Sequence, residues 1–313
     1  MKFSVIIPAY NAEKTIARSI NSVISQTFDE FELIIVDDGS RDKTKDIVAQ
    51  FSDDRIKYIF RPNQGVSSAR NTGIISSSGK YVCFLDSDDE WKENHLEELS
   101  KLIEKYTDCG LYVTGYDIRL TDGKILHRST QVLKNLESGR FDNGYEILLN
   151  YGYFLHTDSI CCKREVFDRV GNFEVGVKNG EDDDMWFRIF AYYPIAITKT
   201  VTAVYDRSES AATAKRVPPQ ESVFSKRVET LLHSPEVTKY RKDSLLIWRE
   251  RNKLSLARKY ILSGNKREAR KIIKTIEKSK VNKRKYLETI IALLVPAKIT
   301  KAVIDKRDKS YYR

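Results

Sequence analysis

The chain has 313 residues, 41% hydrophobic and 31% charged, enough to pack one large domain and a smaller one. No apolar run reaches the ~18 residues of a membrane-spanning helix, and Met1-Lys2-Phe3-Ser4-Val5-Ile6-Ile7-Pro8 has neither the length nor the cleavage site of a secretory leader, which predicts a cytosolic protein. Residues 1–214 carry 26 Lys and Arg against 34 Asp and Glu, and residues 215–313 carry 28 against 10, so a net charge of +10 divides into −8 and +18.

Apolar β-branched runs at 3–8, 32–37, 56–60 and 81–86 alternate with amphipathic stretches near 13–26, 42–51, 66–77 and 92–106, a rhythm that predicts α/β architecture with a mostly parallel sheet. In the first helix Ile16, Ile20, Val23 and Ile24 form the core face, while Arg18 and Asn21 point away and the helix reads as scaffold. Polar connections, among them Asp38-Gly39-Ser40 and Pro62-Asn63-Gln64-Gly65, lie where ligands are usually met. Strands near 111–119, 124–130 and 195–204 and helices near 143–150 and 182–191 extend the same domain. A polar, proline-bearing stretch from Ser208 to Gln220 predicts a linker, followed by a basic helical region with one glycine, Gly264. The predicted division is 1–214 and 215–313. Cys83, Cys109, Cys161 and Cys162 show no metal or disulfide spacing and read as reduced core thiols.

Acidic clusters carry the chemistry. Phe84-Leu85-Asp86-Ser87-Asp88-Asp89 sets three carboxylates at the end of a buried strand, where open α/β sheets bind ligands and where a divalent metal could be held against a phosphate. A loop that merely caps the next helix is the alternative. Val36-Asp37-Asp38-Gly39-Ser40 adds two acids at the same predicted edge, and Tyr10 follows Ile6-Ile7-Pro8-Ala9 as a surface for a base. With neither a P-loop nor a G-x-G-x-x-G present, phosphates must be held by metal and side chains such as Arg70. Glu181-Asp182-Asp183-Asp184 opens a helix; a dipole-complementing start with an Asp184–Arg188 pair accounts for part of it. Asp182 and Trp186, four apart, would present a carboxylate beside a flat apolar face suited to a sugar. Crowding of like charges would raise one member's pKa into general-base range.

Taken together, Ile6-Ile7-Pro8-Ala9-Tyr10-Asn11, Val36-Asp37-Asp38-Gly39-Ser40, Gly65 with Ala69-Arg70-Asn71, Phe84-Leu85-Asp86-Ser87-Asp88-Asp89 and Glu181-Asp182 resemble family 2 glycosyltransferases of the GT-A fold. The resemblance covers roughly residues 1–205 and implies an inverting transferase that uses a UDP-sugar with Mn²⁺ or Mg²⁺. It implies that Pro8, Tyr10, Asn11, Asp38, Arg70, Asp86, Ser87 and Asp88 surround the donor, with Asp88 and Asp86 on the metal. Asp182 would be the catalytic base, and Glu181, Trp186, Trp91 and His156 would lie on the acceptor side. Many relatives carry a further histidine where this chain reads Val204-Tyr205-Asp206-Arg207-Ser208, so the resemblance implies either a weaker metal site or substitution by Asp206 or Arg207.

Residues 286–304 hold a short apolar stretch interrupted by Pro296, preceded by Lys278, Lys280, Lys283, Arg284 and Lys285 and followed by Lys298, Lys301, Lys306 and Arg307. Such a segment can lie on an anionic membrane surface, dock on the catalytic domain or pair two subunits. The expected activity is transfer to a growing surface glycan or lipid-linked saccharide at the inner face of the cell membrane. Transfer to a protein or glycoprotein is a second reading. Non-enzymatic nucleotide or nucleic-acid binding is a third, disfavoured because the tail lacks a stacking platform.

Overall fold

A computed structural model of the chain describes residues 2–177, 179–208 and 220–295. Most of the predicted linker and the tail from Pro296 onward, including Lys298, Lys301, Lys306 and Arg307, lie outside the described residues. Two compact units divide the chain, Met1–Thr213 and Ala214–Arg313.

The first unit begins with strands β1 (Phe3–Ala9), β2 (Phe31–Asp37), β3 (Ile56–Phe60) and β4 (Tyr81–Phe84), interleaved with helices α1 (Ile16–Ile24), α2 (Thr44–Val48) and α3 (Val66–Ser76). After it come β5 (Glu90–Trp91), α4 (His95–Lys105), β6 (Leu111–Arg119), β7 (Ile125–Leu126), α5 (Arg128–Val132), β8 (Gly139–Phe141) and α6 (Gly144–Tyr151). A 3₁₀ turn at Thr157–Ser159 leads to β9 (Ile160–Lys163), α7 (Val166–Val170), α8 (Glu181–Tyr192) and β10 (Ile195–Asp206). The main path of the sheet runs β3-β2-β1-β4-β9-β6-β10-β5.

The alternation in the first hundred residues produces parallel neighbours, as expected. Ile6 pairs with Ile34 and Phe84, and Ala9 pairs with Asp37, so β1, β2 and β4 end at one edge. Ile16, Ile20 and Val23 are fully buried beneath α1. The sheet is mostly parallel, as expected, and the parallel run ends at β9, which runs antiparallel to both β4 and β6. This strand has only four residues, and no flanking periodicity announces it. Nor does 124–130 form one strand: only Ile125–Leu126 pairs with β6 before α5 begins. All four cysteines are buried and free, in keeping with core thiols.

The second unit consists of α9 (Val223–His233), α10 (Lys239–Leu262), α11 (Lys266–Lys274) and α12 (Lys283–Leu294) among the described residues. Their starts are set by Ser222, Thr238, Asn265 and Asn282, whose side chains accept first-turn N–H groups. Leu254, Ala257, Ile261, Ala269, Ile273 and Leu293 form a separate hydrophobic cluster. No described helix is long and apolar enough to cross a membrane.

Candidate active site

Parallel strands bring three loops to one edge. After β1, Tyr10 is 52% exposed, and Asn11 takes the left-handed conformation, φ 48°, uncommon for a residue with a Cβ. That geometry lets Asn11 N–H donate to Ser40 Oγ and Asn11 Oδ1 accept from Arg41 N–H, both at 2.9 Å, stitching the β1 and β2 loops together. Pro8 is buried within β1. Asp38 is also buried; its carboxylate accepts from Gly65 N–H at 2.7 Å and Gln64 N–H at 3.1 Å, with Arg61 Nε at 3.3 Å. It therefore fixes the loop that starts α3.

Arg70 joins the two acidic clusters that lie a hundred residues apart in sequence. Its guanidinium contacts Asp86 Oδ1 at 2.8 Å and Glu181 Oε1 at 3.2 Å, and the side chain is nearly fully buried. Gly73, one turn later, lets α3 press on β1: a Cβ there would come within 2.4 Å of Ile6 Cγ2. Burial and Asp182 raise the Glu181 pKa, with Arg70 opposing. On the same helix start, burial and Asp182 push Asp183 up to about 7, and Tyr153 Oη donates to it.

The turn that follows β4 is held from behind. Asp158 Oδ1 accepts from Asp86 N–H at 2.9 Å, Ser19 Oγ donates to the Asp89 carbonyl at 2.7 Å, and Arg18 donates to the Asp88 carbonyl. Asp89 Oδ1 accepts from Asp206 N–H at 2.6 Å, tying the turn to β10. Asp89, His156 and Asp158 each offer a ligand atom within 4.8 Å of the others. Their charges are largely compensated internally. Burial favours neutral Asp89, which sits beside Asp158; burial opposes the Asp158 charge as well, but His156, with Nδ1 2.9 Å from Asp158 Oδ2, together with hydrogen bonds from Asp89 and the Asp86 N–H, lowers the Asp158 pKa.

Asp88 is different. Its carboxylate has no ion pair or side-chain hydrogen bond among the described residues, and burial with Asp86 and Asp158 pushes it up to about 6. A half-buried carboxylate destabilised by neighbouring carboxylates fits a divalent cation, which would relieve the repulsion through hard oxygen ligands. Asp88 thus offers an uncompensated carboxylate to a metal, whereas Asp86 is paired with Arg70 and the trio behind is compensated within itself.

The profile of Glycosyl transferase family 2 matches residues 4–171, more than half of the chain. The chain belongs to this family. It is 41% identical over 129 residues to the putative teichuronic acid biosynthesis glycosyltransferase TuaG of Bacillus subtilis, covering 40% of this chain and 50% of TuaG. It is 48% identical over 95 residues to the UDP-Glc:alpha-D-GlcNAc-diphosphoundecaprenol beta-1,3-glucosyltransferase WfgD of Escherichia coli, covering 30% of this chain and 38% of WfgD. The matched stretches span 15 to 50% of the length of these and similar curated relatives. Staphylococcus aureus TarS 1-349 in complex with UDP-GlcNAc has a similar structure, with a TM-score of 0.74 at 20% identity, covering 99% of this chain and 92% of TarS 1-349. The fold is GT-A.

Several side chains of the glycosyltransferase lie elsewhere than their sequence context implied. Trp186 is fully buried against Phe84 and Phe173, so its ring cannot face a sugar. The four residues from Asp182 advance the helix by about 6 Å, from the site rim into the core. Trp91 is likewise buried, stacked on His95 at 3.9 Å and donating to the Asp158 carbonyl at 2.7 Å. His156 lies between Tyr116 and Tyr205 and pairs with Asp158 behind the turn. Glu181 faces Arg70, whose charge is occupied by carboxylates rather than left open for a diphosphate. Asp206 cannot stand in for a metal ligand, because Arg18 and Arg119 both pair with it at 2.8 Å. Arg18, on the polar face of α1, reaches the Asp88 carbonyl instead of serving only as scaffold surface. Asp158 and Tyr153 carried no sequence signal, since their partners are remote in the chain.

Proposed function

We propose that this glycosyltransferase inverts the anomeric centre of a UDP-sugar as it transfers the sugar to a hydroxyl of a growing bacterial surface glycan. The observation that carries the reading is the Arg70 bridge, which sets the β4 turn and the start of α8 around one space. Tyr10 supplies a face for the uracil, with Pro8, Asn11 and Asp38 shaping the loops beneath it. Asp86, Ser87 and Asp88 lie toward the diphosphate, and Asp88 with Asp86 would hold Mn²⁺ or Mg²⁺. When bound, the cation offsets charge on the departing diphosphate. Asp182 takes the proton of the acceptor hydroxyl as that oxygen attacks the anomeric carbon through an oxocarbenium-like transition state. Glu181 and Arg70 orient the carboxylates on either side.

TarS, which has the same fold, has been crystallised with UDP-GlcNAc, which supports a UDP donor, and WfgD is named for a UDP-Glc donor and a lipid-diphosphate acceptor, which supports a lipid-linked glycan acceptor. In this reading the reaction takes place at the inner face of the cell membrane, with the basic second unit in contact with the lipid. The test is UDP release from a panel of UDP-sugars with Mn²⁺, comparing wild type with Asp182→Asn. Donor-selective release that the variant lacks supports the assignment. Equal release by both proteins removes Asp182 from the role of base.

A further inference from the structure

Helix α12 has two apolar faces, and the unit's own core explains one of them. Tyr286, Ile290 and Leu293 pack into the cluster around Leu254 and Ile273. On the opposite face Leu287, Ile291 and Leu294, spaced four and three residues apart, are 60%, 58% and 79% exposed. Lys283 and Arg284 sit at the N-terminal end of that outward face, both exposed. Among the described residues of its unit, this apolar stripe on a 12-residue surface helix is left exposed.

We infer that the outward face of α12 is the element that docks on an anionic bilayer, with Leu287, Ile291 and Leu294 entering the headgroup boundary and the neighbouring cations meeting lipid phosphates. Charge separates lipid from a second copy of this basic unit. Residues 215–313 carry 28 Lys and Arg against 10 Asp and Glu, so a second copy would bring two strongly positive surfaces together, whereas anionic lipid complements both the charge and the apolar stripe. Nucleic acid would satisfy the charge but leave three aliphatic side chains in water. This inference deepens the membrane-surface reading given above and requires nothing of the donor or acceptor assignment.

The test is sedimentation of the full chain with vesicles of phosphatidylcholine alone and of phosphatidylcholine with about one third phosphatidylglycerol. Wild type is expected to bind the anionic vesicles and to bind neutral ones weakly. Leu287→Glu with Ile291→Glu should lower the apparent partition coefficient at least ~10-fold with unchanged circular dichroism, because both positions are exposed. The milder pair Leu287→Ser with Ile291→Ser gives the same readout if the glutamates impair folding. Lys283→Glu with Arg284→Glu should lower binding several-fold. Unaltered binding by the apolar variants overturns the α12 assignment while leaving membrane attachment standing. Failure of wild type to bind any vesicle overturns both. A wild-type dimer that the variants convert to monomer, without vesicle binding, assigns the stripe to a second copy.

Discussion

Arg70 and Asp183 illustrate how little of a residue's function its type alone conveys. Asp86 and Glu181 flank one buried guanidinium, and removing it would leave two carboxylates partly buried without a cation. Arg70→Ala should therefore cost about 3 kcal/mol of stability in urea unfolding, and Arg70→Lys should recover only part, because an ammonium cannot reach both acids with a planar fork. A loss under about 1 kcal/mol for Arg70→Ala would mean that the bridge is not a structural tie. Asp183 contributes to the pH dependence. Its folded-state pKa of about 7 lies above the ordinary aspartate value of 3.8, so the native protein holds a proton that the unfolded chain has lost between those values. Stability from this group is present at low pH and falls as pH rises toward 7. Asp183→Asn keeps an acceptor for Tyr153 and removes that slope, so it should raise the melting temperature more at pH 8 than at pH 4. Equal shifts at both would remove Asp183 as the titrating group.

Elements decide which side chains reach the site. Helix α8 begins at the rim and is buried from Asp184 onward, so Trp186 belongs to the core. Trp186→Ala should destabilise the protein by about 3–5 kcal/mol, as large aromatic truncations do. A variant of normal stability with only a raised acceptor KM would restore the sugar-facing reading. The turn after β4 is a short loop whose backbone is held by α1 and by the 3₁₀ turn before β9. Asp158→Asn retains a carbonyl to accept the Asp86 N–H but loses the charge facing His156. It should weaken Mn²⁺-dependent UDP binding by roughly tenfold, about 1.4 kcal/mol, in calorimetric titration. Unchanged affinity would show that the turn keeps its geometry without that charge. Arg18 supports the same turn from α1, a use invisible to a helical wheel, on which it falls simply on the polar side.

For the molecule as a whole, each unit buries its own hydrophobic cluster. A truncated chain of residues 1–213 should accordingly fold cooperatively and bind UDP with Mn²⁺, as checked by thermal melting and titration. Aggregation of that fragment would show that its core needs the helical unit. Chelation with EDTA should remove UDP binding from both full-length and truncated proteins, and Mn²⁺ should restore it. By itself the sequence determined the α/β rhythm, the parallel run of β1, β2, β3 and β4, the acidic clusters and the contrast in charge, because these are local patterns of hydrophobicity and side-chain type. Tertiary structure alone decided that β9 enters the sheet antiparallel, that Trp91 and Trp186 are core, that His156 lies behind the turn and that Arg70 binds carboxylates from two distant segments. Each of these depends on which remote backbone or side chain becomes a neighbour, and spacing along a single chain carries no record of such proximity.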